Sequence, residues 1–172
     1  MKERKLDVYL GERFVGTMAQ TADRRVAFAY LGGRLDNGLS ISPFSLPVEQ
    51  KVFVPTSQAF SGLWGVFADS LPDAWGQLLV DRMLKARGIL SADMTQLERL
   101  AIVGDSGMGA LSYRPAWNIQ QDAAIGDLDE LSAQCHAILN HEDAGDLDEL
   151  FQMGGSSGGA RPKIMTTIDE EE

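Results

Sequence analysis

The chain has 172 residues, enough for one domain or one and a half. Apolar residues make up 44% and charged residues 23%, globular proportions that exclude wholesale disorder. Twenty-five acids against fifteen Lys and Arg give a net charge of −10, a field that repels phosphate and disfavours direct DNA or RNA binding.

The single cysteine, Cys135, cannot form an internal disulfide, so nothing points to an oxidising compartment. After the charged start, Asp7, Glu12 and Arg13 interrupt what a signal peptide would need as its apolar core. The longest weakly polar run, Phe60 to Ala68, is nine residues, far short of the ~20 that span a bilayer. The reading is a soluble, cytoplasmic protein with no membrane contact.

Strands come first. Leu6-Asp7-Val8-Tyr9-Leu10 is rich in β-formers, Gly11-Glu12-Arg13 is a short turn, and Phe14 to Met18 makes the second arm of a hairpin. Val26, Phe28 and Tyr30 alternate onto one face of a third strand over 25–30. Leu39 to Leu46 reads as another strand, which Pro43 and Pro47 restrict to an edge or a bulge. The middle is helical. Pro72 and Asp73 open a helix in which Trp75, Leu78, Leu79, Met83 and Ala86 fall at spacings of three and four, and Gly88 stops it. A second helix is predicted from Thr95 to Val103, then a strand over Ala110 to Tyr113. Two further helices follow, Asp127 to Asn140 and Asp146 to Met153. The hexapeptide Gly-Asp-Leu-Asp-Glu-Leu occurs at 126–131 and again at 145–150. Both copies read as helix openings with acids complementing the dipole. A last strand is predicted over Ile164 to Ile168, after the Gly-rich run that begins at Gly154.

Three motifs lack the partners their chemistry needs. Gly104-Asp105-Ser106-Gly107 has the form of a serine-protease nucleophile segment, but both histidines, His136 and His141, follow it, and it reads as a turn between helix and strand. Gly154-Gly155-Ser156-Ser157-Gly158 fits a nucleophile elbow in letters only, since no His follows and helix precedes the loop. Cys135, His136, His141 and Glu142 carry metal donors that do not share a helix face, so a buried cysteine and surface histidines are expected. The Gly-rich run has a better use. Successive backbone N–H groups can form an anion-binding nest, and Arg161 and Lys163 flank it with positive charge. It is neither a Walker A loop nor the ordinary kinase Gly-x-Gly-x-x-Gly. A phosphate cradle and a flexible linker both remain open on this reading.

Several segments form an ordered pattern. Leu6 to Gly11 with Val15-Gly16 makes a first hairpin, and Pro43-Phe44-Ser45-Leu46-Pro47 a proline-bounded strand. Phe67 to Gly76 leads into the first long helix, Val103 to Leu111 forms a glycine-bearing junction, and Ser156 to Lys163 is the Gly-rich loop. In order and spacing these resemble the HipA-like serine/threonine kinases, the toxins of bacterial toxin–antitoxin modules.

The resemblance implies an α+β fold. Residues 1–103 would be a small antiparallel β subdomain with packed helices, and residues 104–172 the beginning of a kinase-like N-lobe with its Gly-rich ATP loop. ATP-binding positions carry over to Gly158, Gly159, Ala160, Arg161, Pro162 and Lys163. The autophosphorylated serine of the family aligns with Ser156, with Ser157 its neighbouring candidate. A phosphoserine there would add about two negative charges and pull the loop from its ATP-compatible position. Phosphoryl transfer also needs a strand-borne Lys, an acceptor-orienting Asp and a metal-binding residue. In the family these lie beyond the loop, so no catalytic and no metal-binding residue is assigned here. Lys163 belongs to the loop and is not that Lys. ATP and Mg are expected in the complete kinase, without tight binding to this chain alone. Implied partners are a HipB-like DNA-binding antitoxin and the remaining C-terminal part of the kinase, in cis or in trans. The implied substrate is an aminoacyl-tRNA synthetase. The favoured expectation is a truncated kinase, inactive by itself. The alternative is a non-catalytic subunit or antitoxin-like module that restrains a separate HipA-like kinase.

Overall fold

A computed structural model describes residues 5–31, 40–117, 128–140, 142, 147–154 and 159–163. The chain forms two compact units, one from Met1–Leu71 and Met94–Trp117, the other from Pro72–Asp93 and Asn118–Glu172.

The first unit is a five-stranded antiparallel sheet with helices. β1 (Lys5–Leu10) and β2 (Arg13–Gln20) form the hairpin, and the turn between them places Gly11 at φ +57. β3 (Val26–Tyr30), β4 (Val52–Phe53) and β5 (Leu111–Arg114) complete the order β4-β3-β2-β1-β5. Leu6 and Val8 alternate inward on β1. On β2 the register shifts opposite Val8 and Tyr9, and this bulge brings both Val15 and Met18 to the buried face, which strict alternation would forbid. Phe28 is wholly buried, edge-on to Tyr30 at 4.8 Å and 5.2 Å from Phe67.

The strand predicted over Leu39 to Leu46 is replaced, in its described part from Ser40 on, by a tight turn closed by a single Ser42–Leu46 bridge. Leu46 is buried, and its carbonyl accepts hydrogen bonds from Tyr30 Oη (2.7 Å) and Ser40 Oγ (2.5 Å). Those side-chain bonds hold the backbone where a ladder would otherwise have done so. The fourth strand is instead the short Val52–Phe53 pair, beside β3. Between it and the second unit, a 3-10 turn at Ala59–Gly62 carries Phe60 and Ser61 in the left-handed region. The short helix α1 (Gly65–Ala68) follows.

α2 (Ala74–Ala86) belongs to the second unit, and α3 (Gln96–Val103) returns to the first. Thr95 and Glu98 form a reciprocal capping box at the start of α3. At its end Gly104, at φ +51, turns the chain so that its carbonyl accepts from Tyr113 N–H, while Ala101 O accepts from Trp117 N–H. A side chain at Gly104 would collide with Ala116 Cβ at 2.7 Å. β5 is thereby fixed against β1, and Tyr113 is buried with its hydroxyl donating to Ser70 Oγ at 2.7 Å.

The second unit is helical in its described residues. α4 (Leu128–Leu139) and α5 (Leu147–Gly154) each open at the same leucine of the repeated hexapeptide. α2 packs on α5, and burial falls on Trp75, Leu79, Val80, Met83 and Leu84 of α2, Leu131, Cys135 and Ile138 of α4, and Leu150 and Phe151 of α5. Arg82 donates to the carbonyls of Ile138 (2.7 Å) and Glu142 (2.9 Å), capping the end of α4. Arg87 pairs with Asp148 of α5 at 2.5 Å. No helix among the described residues is long and apolar enough to cross a membrane.

Candidate functional site

The Gly-rich segment enters the structure at Gly159. Ser156, Ser157 and Gly158 lie outside the described residues, as does the strand expected over 164–168. Gly159, Ala160 and Arg161 are exposed, and Pro162 and Lys163 are partly buried. Gly159 adopts φ +112, a backbone region that L side chains rarely enter. A Cβ on it would stand 2.6 Å from Lys163 Nζ, so the lysine folds back over a surface that only glycine leaves clear.

This segment lies against the N-terminus of α2. Asp73 is the N-cap, and its Oδ1 accepts from Gly76 N–H at 3.1 Å. Trp75 N–H, one of the first-turn donors that a helix cannot satisfy internally, donates to Gly159 O at 3.4 Å. Two buried polar atoms sit at the same helix end. Asp73 Oδ2 accepts no hydrogen bond from any described residue, and Trp75 Nε1 donates to none. Sequence reasoning identified Asp73 as a helix opening but missed its proximity to Gly159. No local signal joins positions so far apart in the chain.

The described half of the loop fits a polyphosphate in two respects. Gly159 presents bare backbone, and Arg161 and Lys163 bring two cations to the segment. Asp73 Oδ2 stands 3.9 Å from where a Cβ on Gly159 would lie, and it opposes an anion at that point while suiting a cation.

The other motifs resolve into structure. Ser106 Oγ donates to Val103 O at 2.8 Å and Asp105 faces Arg114 at 3.5 Å, so 104–107 is the turn between α3 and β5. Cys135 is buried, and burial pushes its thiol above its ordinary range. His136 next to it is exposed, and His141 lies outside the described residues. Among the described residues no cluster of three or more His, Cys, Asp or Glu could hold a metal ion. Pairing of β1 with β5 also brings the Gly11 turn beside the Gly107–Gly109 turn. Together they line an open cavity of about 440 Å³ with Glu12, Asp105, Ser112 and Arg114. Sequence reading could not place that cavity, because its two walls are about a hundred residues apart.

A five-stranded antiparallel sheet completed by a late strand, with α3 clasped to that strand at a glycine, defines an α+β module. The sequence model of the HipA N-terminal domain matches residues 6–114, more than half of the chain and all five strands but for the first residue of β1. The chain belongs to the HipA N-terminal domain family. No curated protein matches it.

Proposed function

We propose that this chain is the amino-terminal portion of a HipA-like serine/threonine protein kinase toxin, and that 156–163 is its nucleotide loop. The observation that carries the reading is the continuity of one polypeptide. A HipA N-terminal domain over 6–114 is followed in the same chain by a Gly-rich, cation-flanked segment that lies on a helix N-terminus. In the complete kinase, Gly158 to Lys163 would hold the ATP phosphates, with Mg supplied alongside the nucleotide, and Ser156 would be the phosphorylated serine. The groups that transfer the phosphoryl come from other parts of that kinase. A HipB-like DNA-binding antitoxin is the expected partner and an aminoacyl-tRNA synthetase the expected substrate class.

The test is calorimetric titration of the complete kinase with ATP, before and after the order of residues 156–163 is scrambled. Loss of most of the ATP affinity supports the reading, and undiminished affinity overturns it. Phosphopeptide mapping after incubation with ATP should find Ser156 modified.

A second reading has its own observation. The family match and the five described strands of the sheet both end by residue 114, without the loop. A non-catalytic module that restrains a separate kinase would need no more than that. Co-purification with a HipA-like kinase encoded beside it, together with no effect of loop scrambling on the complex, favours this reading over the first.

A further inference from the structure

We propose that Asp73 is a positioning residue for the Gly-rich segment. The capped N-terminus of α2 is the surface on which Gly159 to Lys163 rests, and the Asp73 charge sets how often that strap lifts. The consequence for nucleotide binding rests on the proposed function, whereas the contact itself does not.

Three observations converge. The first-turn amides of α2 are divided between two acceptors: Gly76 N–H goes to the Asp73 side chain and Trp75 N–H to Gly159 O. Helix amides at these positions have no partner inside the helix, so the strap supplies what the helix lacks. Next, Gly159 leaves open the volume its Cβ would fill, and Lys163 Nζ approaches that point to 2.6 Å. Finally, Asp73 Oδ2 approaches the same point to 3.9 Å, and it is buried with no hydrogen-bond donor among the described residues. A carboxylate oxygen and an ammonium therefore converge on one spot from opposite elements. Gly159 is exposed and both Asp73 and Lys163 are half-buried, so their attraction is that of a partly exposed pair. Asp73 thus acts at both ends of its side chain: Oδ1 holds the helix and Oδ2 draws the strap.

Asn caps helices about as well as Asp but carries no charge, which separates the two roles. The experiment is amide hydrogen exchange on the 172-residue chain, with no nucleotide present, reading Trp75 and Gly76 side by side. In D73N, Trp75 exchange should rise about two- to fivefold, the range of a partly exposed charge pair, with Gly76 unchanged. In Gly159→Ala, which forces a side chain into left-handed backbone, Trp75 should exchange about tenfold faster. Raising salt should accelerate Trp75 exchange in the unsubstituted chain and have little effect in D73N. Unaltered Trp75 exchange in D73N overturns the proposal. So does an equal rise at Trp75 and Gly76, which is fraying of the helix. ATP titration of the complete kinase is a separate measurement, and its failure would leave the strap contact standing.

Discussion

A methyl group on Gly16 would stand 2.2 Å from the Ala29 carbonyl oxygen and 2.9 Å from the Phe28 ring, distances no core accommodates without moving backbone. Gly16 lies on β2 opposite Tyr30 of β3. This is the physical content of the Val15-Gly16 pair that marked the first hairpin in the sequence. Gly16→Ala is expected to destabilise the first unit by about 3 kcal/mol, an overpacking cost, read as a lower urea midpoint. Tyr113 supplies a pH-dependent counterpart. Burial pushes its phenol up to about 12, opposed by the hydrogen bond to Ser70 and assisted by the charge of Asp69. In the unfolded chain the phenol ionises near 10. Between those values the unfolded state releases its proton while the folded state keeps it, so stability falls as pH rises, by at most ~1.4 kcal/mol per unit. Below pH 10 this contribution is constant. Tyr113→Phe should flatten that part of the alkaline slope in urea unfolding at pH 9 to 12. It should also cost about 1 kcal/mol at neutral pH, because Ser70 loses its donor.

Elements with local start and stop signals were legible in the sequence. Pro72 and Asp73 mark the start of α2 as expected, although Asp73 is its N-cap and Pro72 precedes the helix, and Gly88 follows the helix at φ +71, the backbone that a terminating glycine provides. Thr95 is the N-cap of α3, and the hexapeptide repeat opens α4 and α5. The capping box invites a measurement. Thr95→Ala removes both the acceptor for Glu98 N–H and a hydroxyl bond to the buried Glu98 carboxylate, and should cost about 1 kcal/mol in thermal unfolding. Segments whose conformation depends on distant side chains were not legible. The turn at 42–46 owes its path to Tyr30, and β4 is a strand only because β3 offers it an edge. The candidate site divides the same way. Its glycines and cations are visible as a run of letters, but the helix end beneath Gly159 is not. That contact joins residues held together by the packing of the second unit.

The first unit is assembled from two stretches of chain, and its fifth strand comes from the second of them. A piece ending at residue 103 would lose β5, bare the outer edge of β1 and empty the site of the Tyr113 ring. Removing a buried aromatic costs about 3–5 kcal/mol, and an uncovered edge invites pairing with other chains. A piece spanning 1–117 should therefore melt cooperatively, whereas 1–103 should show no thermal transition or aggregate. Both pieces bare the same apolar face of α2, so the difference reports the segment from Gly104 to Trp117. Equal melting of the two would mean that β5 contributes nothing to the sheet. The family match reaching residue 114 accords with the longer piece.

The order in which a ribosome delivers this chain follows from the same pairing. β2 is made directly after β1 and pairs with it at once, but the other neighbour of β1 is about a hundred residues further along the chain. At about 5–20 residues per second, the nascent hairpin waits some 5–20 s before β5 arrives. Throughout that interval one side of β1 is open to any chaperone, or any second nascent copy, that can supply a strand.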